Sequence, residues 1–556
     1  MSAVPAELDA EIRLLDLLLE EQRSLTPVER FPERHAAADG PLQERYYRDL
    51  LPSTAPGPGE QYAFRVDLDQ CTGCKACVTA CQSLNGLDAH ETWRDVGLLL
   101  GEAAGEPVQQ TVTTTCHHCE DPACLNGCPA RAYEKDPETG IVRHLDDQCI
   151  GCQYCILKCP YDVPQYDASR GIVRKCDMCT GRLSAGEAPA CVQGCPNQAI
   201  SISLVTKGRD RQAAWMPVLT GAIPASSITR PTTQYVSGRL KQPTLFPANQ
   251  SIANANDAHT PLALMMVAVQ LSVGLLIVDR LTGSLVGAEV SGLRNAWSVA
   301  AASIAVLGQA GAFLHLGRPL YAFRAVLGWR TSWMSREILA LGAFVGLTIA
   351  YAASWVATPT LESTLALDGT TQWIPALRNS LGSLAVSFGL LSTYCSVMIY
   401  VDTRRPFWSI ETTSLRFFGS IVVLGPVTAL ALGLAVGELQ YTSLAISLSI
   451  VSVAAVALKL VLELSINRYR GSIEHDALAR SAELIVGPLR KVSALRCGAA
   501  IVATASLVLL LCIPRGASHS AGPLLATASF VSFVVGESLE RHLFFRAEAA
   551  RAMPGL

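Results

Sequence analysis

The sequence predicts a small α+β domain built from two repeated modules, followed by an all-α polytopic domain of eight membrane-crossing helices. Three observations predict it. Sixteen of the 19 cysteines fall between Cys71 and Cys195 in four groups with related spacing. Eight apolar stretches follow from Pro261 onward, each close to the ~20 residues that cross a bilayer as a helix. Only 16% of the 556 residues are charged and the mean hydropathy is +0.30, a balance that leans toward a membrane protein. A chain of this length exceeds one ordinary core, so more than one domain is required.

Four regions follow in chain order. Residues 1–60 form an extension in which leucines of 5–23 recur at helical spacing between acids, predicting an amphipathic helix. Residues 61–205 carry the cysteine groups. Residues 206–258, rich in Pro, Thr, Ser and Asn, read as an extended connector with little core of its own. Residues 259–556 hold the apolar segments, at about 261–279, 297–315, 338–357, 380–400, 415–436, 444–464, 496–513 and 523–540. These segments lack the polar faces that a soluble helical core would need. The net charge of −3 and the absence of basic blocks give no sign of nucleic-acid binding.

The opening MSAVPAELDAEIRLLDLLLEEQ lacks the basic start, apolar run and cleavage site of a secretory signal, and shows no twin-arginine leader. The loops on the cysteine-domain side are rich in cations, from Arg318, Arg324, Arg330 and Arg336 through Arg404, Arg405, Arg468, Arg470, Arg480, Arg490, Lys491 and Arg496 to Arg541, Arg546 and Arg551. The opposite side shows only Arg280, Arg294, Arg378 and Arg515. The positive-inside tendency therefore predicts an inner-membrane protein with the cysteine domain in the cytoplasm.

The groups read CTGCKACVTAC (71–81), CHHCEDPACLNGCP (116–129), CIGCQYCILKCP (149–160) and CDMCTGRLSAGEAPACVQGCP (176–196). In such spacings three thiolates wrap one cubane cluster, while the fourth, usually followed by proline, serves a neighbouring cluster. Four groups of four imply four [4Fe–4S] clusters in two modules of the 8Fe–8S ferredoxin type. Zinc normally takes two separated pairs of ligands, and a disulfide framework suits an exported chain. Cys395, Cys497 and Cys512 lie in apolar segments and read as small hydrophobes.

On these motifs the cysteine domain resembles the four-cluster electron-transfer subunit of the dimethyl sulfoxide reductase family. The resemblance implies the ligand sets Cys71, Cys74, Cys77 and Cys195 (set one); Cys176, Cys179, Cys191 and Cys81 (set two); Cys116, Cys119, Cys124 and Cys159 (set three); and Cys149, Cys152, Cys155 and Cys128 (set four). Nitrate-reductase relatives replace the second cysteine of the third group and hold a three-iron cluster; Cys152 is intact, which predicts four cubanes.

A redox chain in a membrane exchanges electrons with haem or quinone. None of the ten histidines falls mid-span; His315 ends the second apolar segment and His542 follows the eighth. Quinone, without haem, is therefore the expected donor. His315, in HLGRP, can anchor a quinol oxygen and accept a proton at the edge of the membrane. Glu337, at the start of the next span, is a second acceptor. HLGRPLYAFRAVLGWRTSWMSREIL, MIYVDTRRPFW and GESLERHLFF are similar to the haem-free, eight-span anchor subunit of the same family. That resemblance implies a quinol site at His315, Gly317, Phe323 and Glu337. Tyr321 and Ala325 replace a family arginine and serine, and Arg318 or Arg324 stands in for the lost arginine. Lys459 and Glu463, one helical turn apart, are expected to form a structural ion pair.

The expected function is electron transfer from menaquinol through four clusters to a separate molybdopterin-containing catalytic subunit, the two usual subunits being fused in one chain. The alternatives are reverse flow, from a dehydrogenase to quinone, and a membrane-bound iron–sulfur sensor. The terminal acceptor stays open among sulfoxide, N-oxide, nitrate, selenate and polysulfide.

Overall fold

The computed structural model describes residues 14–20, 44–208, 226–240, 244–249 and 254–549, less 286–290, 366–372, 438–442, 473–475 and 513–520, with a few isolated positions besides. Of the predicted N-terminal helix, residues 14–20 are helical, with Leu14, Leu15, Leu17 and Leu18 exposed; the rest of 5–23 lies outside the described residues.

The small domain is framed by strand β1 (Glu60–Asp67), which pairs antiparallel with β8 (Ile200–Thr206) so that the two ends of the domain meet. A hairpin, β2 (Arg94–Ala103) and β3 (Glu106–Thr115), turns at Ala104 and Gly105, both with positive φ as the tight right-twisted turn requires. Two shorter hairpins, β4–β5 (Tyr133–Lys135, Val142–His144) and β6–β7 (Gln165–Asp167, Ile172–Arg174), follow the second and third cysteine groups. The segment read as a connector contributes β9 (Gln234–Val236), which pairs parallel with β1, and β10 (Thr244–Pro247), which pairs antiparallel with β2. Single-strand additions this short carry no periodicity that a sequence pattern could reveal.

Among the described residues, eight helices are long and apolar enough to cross a membrane. They run Thr260–Leu285, Ser291–Leu314, Trp333–Leu365, Trp373–Val401, Ile410–Val436, Ser443–Leu464, Arg490–Cys512 and Ala521–Arg546. The fifth shows how the sequence sets its limits. The Ser409 hydroxyl accepts from the Thr412 N–H at the start, and Gly437, left-handed at φ 80°, ends it. Buried charges tie the later spans together. Lys459 lies 4.0 Å from Glu463, but also bonds Glu537 of the eighth span and the Ser420 hydroxyl at 2.9 Å. Arg496 bridges Glu463 and Glu537, each at 3.0 Å. Lys459 thus joins an inter-span network, one that its own helix could not reveal. In a low dielectric a buried charge left without its partner is costly, and this network supplies the partners.

Candidate functional site

The four cysteine groups share one backbone device. The residue before the second cysteine is left-handed in every group: Gly73 (φ 73°), His118 (42°), Gly151 (70°) and Met178 (60°). Three residues after each Cys-Pro cysteine the chain is left-handed again, at Arg131, Asp162 and Gln198. These kinks turn amide N–H groups toward sulfur. Met178 N donates to Cys176 Sγ (3.3 Å), Ala132 N to Cys128 Sγ (3.2 Å) and Ala199 N to Cys195 Sγ (3.3 Å). Successive inward N–H groups of this kind make a concavity for anions.

In space the thiols gather across the sequence groups. One cavity is walled by Cys71, Cys74, Cys77 and Cys195, another by Cys116, Cys119, Cys124 and Cys159. Cys176 neighbours Cys81, Cys179 and Cys191, and Cys155 neighbours Cys152, Cys128 and Cys149. Burial pushes the thiols of Cys81, Cys124 and Cys159 up to about 12. As thiolates they need a compensating cation. Among the described residues no three His, Cys, Asp or Glu side chains converge closely enough for a single metal ion. The cavities walled by four thiols fit a wider group than one ion, whose thiolates lie within about 2.3 Å of it. Adjacent sets are neighbours in a fixed order: Cys77 with Cys191, Cys176 with Cys116, Cys124 with Cys128. The sets form a line, one–two–three–four.

Set four ends this line against the membrane helices. Tyr154 donates its hydroxyl to the Ile399 carbonyl (3.0 Å), and Lys158 pairs with Asp402 (2.6 Å). Ser332 bonds the Gly127 carbonyl at 2.7 Å, and Gly328 N donates to Pro129 O at 2.7 Å. Between the two domains lies a cavity of about 460 Å³ whose wall includes Cys152, Tyr154, His259, His315, Glu337 and Tyr400. That volume suits a small organic ligand. His315 contacts the Cys152 backbone, and its ring stands edge-on to His259 at 5.2 Å. Burial, with His259 beside it, lowers the His315 imidazole to about 4, so the ring is neutral and can accept a hydrogen bond. Glu337 is 7% exposed and accepts from the Ser396 hydroxyl.

The other sequence-predicted pocket residues stand elsewhere. Gly317 and Arg318 donate their backbone N–H groups to Gly151 O (3.4 Å) and Ile150 O (3.1 Å). A Cβ on Gly317 would stand 2.3 Å from Gly171 O, so only glycine lets this backbone rest on the cluster-side loops. The Arg318 and Arg324 guanidinium groups bond the carbonyls of Asp146 and Asp147. Phe323 is 69% exposed. These four residues clamp the domains together or face outward; they do not line the cavity. His259 and Tyr400 do line it, and neither is singled out by the sequence. The signal available for His259 is its position, one residue before the first helix.

Residues 108–204 match the model of the 4Fe-4S dicluster domain. Together with the thiol sets and the eight spans, this defines a multi-pass membrane iron–sulfur protein. Residues 255–546, more than half the chain, match the DMSO reductase anchor subunit (DmsC) model. The chain belongs to that family, with the iron–sulfur domain fused ahead of the anchor. The B subunit of the anaerobic dimethyl sulfoxide reductase of Haemophilus influenzae is 35% identical over 184 residues, covering 31% of this chain and 87% of that protein. The corresponding B subunit of Escherichia coli K12 is 35% identical over 183 residues, with 31% and 86% covered. The thiosulfate reductase electron transfer subunit PhsB of Salmonella typhi is 38% identical over 143 residues, with 25% and 74% covered.

Proposed function

We propose that this chain oxidises quinol, of the menaquinol type, in the interdomain cavity and passes the electrons to a separate molybdopterin-containing catalytic subunit. The observation that carries this reading is the cavity itself, whose wall joins a cysteine of set four to His315 and Glu337. Four [4Fe–4S] clusters bound at the sixteen cysteines supply a one-electron relay, without haem. The chain's own residues do the rest. His315, neutral, accepts the hydrogen bond of one quinol hydroxyl, and Glu337 accepts a proton released as the ring is oxidised. His259 and Tyr400 shape the pocket. Set one lies at the far end of the line, and its Cys74 is exposed. Electrons leave there, where the catalytic subunit docks. The relatives named above as reductase subunits support such a partner. The test is anaerobic addition of a quinol analogue to membranes holding the full chain. Reduction of the clusters, seen by EPR, is the expected result; clusters reducible by dithionite but never by quinol would overturn the assignment.

The same reading places the iron–sulfur domain on the cytoplasmic face of the inner membrane, supported by the arginine asymmetry of the loops. Protease added to intact spheroplasts is expected to leave residues 210–250 uncut and to cleave them only after lysis. Cleavage from outside would reverse the orientation.

A further inference from the structure

Arg94 opens β2 and is only 2% exposed. Its guanidinium lies among thiols of two sets, Cys77 of set one and Cys81, Cys176 and Cys191 of set two. Nη1 donates to Thr113 Oγ1 at 3.1 Å, and that hydroxyl is 3.6 Å from Cys77 Sγ. Beneath it the Phe64 ring sits 4.8 Å away. Nε and Nη2 are buried with no hydrogen-bond partner, and among the described residues no carboxylate pairs with Arg94. Lys175 repeats the pattern one step along the line. It is 3% exposed, lies among Cys116, Cys124 and Cys176, and donates to backbone carbonyls, including Cys176 O at 2.9 Å. Asp177 is near Lys175 without pairing with it.

A guanidinium removed from water without a counter-anion is expensive to bury, and removing one partner of such a charge leaves the other uncompensated. Among the described residues, the anions placed to compensate Arg94 are the thiolates of sets one and two with the group they hold. At set four the basic side chains are already matched or wet. Lys158 pairs with Asp402, and His144 pairs with Asp146 while also contacting Cys149 of set four; Arg318 and Arg324 lie at the partly exposed domain seam.

We propose that Arg94 and Lys175 are potential-setting residues, which raise the reduction potentials of the sets they border, one to three. A cluster with four thiolates is anionic and gains one further negative charge when reduced. A fixed buried cation therefore favours its reduced form, and net charge is one of the factors that set such potentials. The inference deepens the proposed function, because it names residues that tune the relay, and it rests on the four sets holding clusters.

The test is an EPR-monitored redox titration of the full chain with soluble mediators, after iron and acid-labile sulfide confirm cluster content. In Arg94→Gln two centres should become at least tenfold harder to reduce, which for one electron is about 59 mV. In Lys175→Met the centres of sets two and three should move in the same direction. The centre of set four should hold its potential in both, and Arg94→Lys, which keeps the charge, should stay near the wild type. Unmoved centres in a fully loaded Arg94→Gln protein would overturn the proposal, as would Arg94→Lys falling equally far. Should Arg94→Gln lose its clusters, Lys175→Met carries the test: a fall in the centres of sets two and three supports the proposal and unmoved centres overturn it, while cluster loss in Arg94→Lys as well would assign Arg94 to packing and end it. Quinol takes no part in the titration, so failure here leaves quinol oxidation untouched. Fewer than four centres in the wild type would instead undermine the relay reading itself.

Discussion

Replacing Glu337 by Gln, or His315 by Ala, is expected to lower quinol-dependent reduction of the clusters at least ~100-fold, a loss in the range of general acid–base contributions. Cluster content and dithionite reduction should stay normal. The geometry gives the reason. Both side chains line the cavity that Cys152 also lines, and neither belongs to a thiol set. Glu337 lies in the first turns of the third span, nearly sealed from water, where its carboxylate bonds Ser396. Gln keeps the size and a hydrogen bond but accepts no proton, so the variant separates chemistry from packing. Ala at 315 removes the proposed acceptor for the quinol hydroxyl and its edge contact with His259. His315→Ala should therefore weaken quinol binding as well as turnover, whereas Glu337→Gln should act mainly on turnover. Undiminished turnover in both variants would move the quinol site elsewhere.

The spans and the cysteine groups are legible in the sequence because each rests on a one-dimensional rule. Bilayer thickness fixes the length of an apolar run, and cluster coordination fixes the spacing of cysteines. Even so, the helices begin earlier than the apolar runs suggest, at Trp333 and Arg490, because a helix continues into polar residues at the membrane surface. What depends on chain segments meeting in space is not legible. The strands β9 and β10 add to sheets begun far earlier in the chain, at β1 and β2. Glu537 reaches Lys459 from another span, and a cation among thiols such as Arg94 looks, in sequence, like any strand residue. The HLGRPLYAFR motif shows both sides at once. In HLGRPLYAFR the histidine faces the cavity, while the glycine and both arginines hold the cluster domain in place. One short motif thus sets both the pocket and the seam beside it, and spacing alone cannot separate the two roles.

Cys152→Ser is expected to have an effect of similar size by a different route. Cys152 is the one thiol of the sixteen that also lines the interdomain cavity. It neighbours Cys128 and Cys149, and its backbone touches His315. A serine hydroxyl ionises far less readily than a thiol and is a poor ligand for the iron of a cluster. The variant should lose or convert the set-four centre alone, leaving three [4Fe–4S] signals in the EPR spectrum. Electrons should then fail to leave the cavity, so that quinol no longer reduces sets one to three although dithionite still does. The matching change in the far set, Cys74→Ser, should leave quinol reduction of the remaining centres intact, because set one stands at the other end of the line. This contrast distinguishes a linear relay from a domain in which any cluster can accept electrons from the membrane. Equal behaviour of Cys152→Ser and Cys74→Ser toward quinol would remove set four from its place beside the pocket.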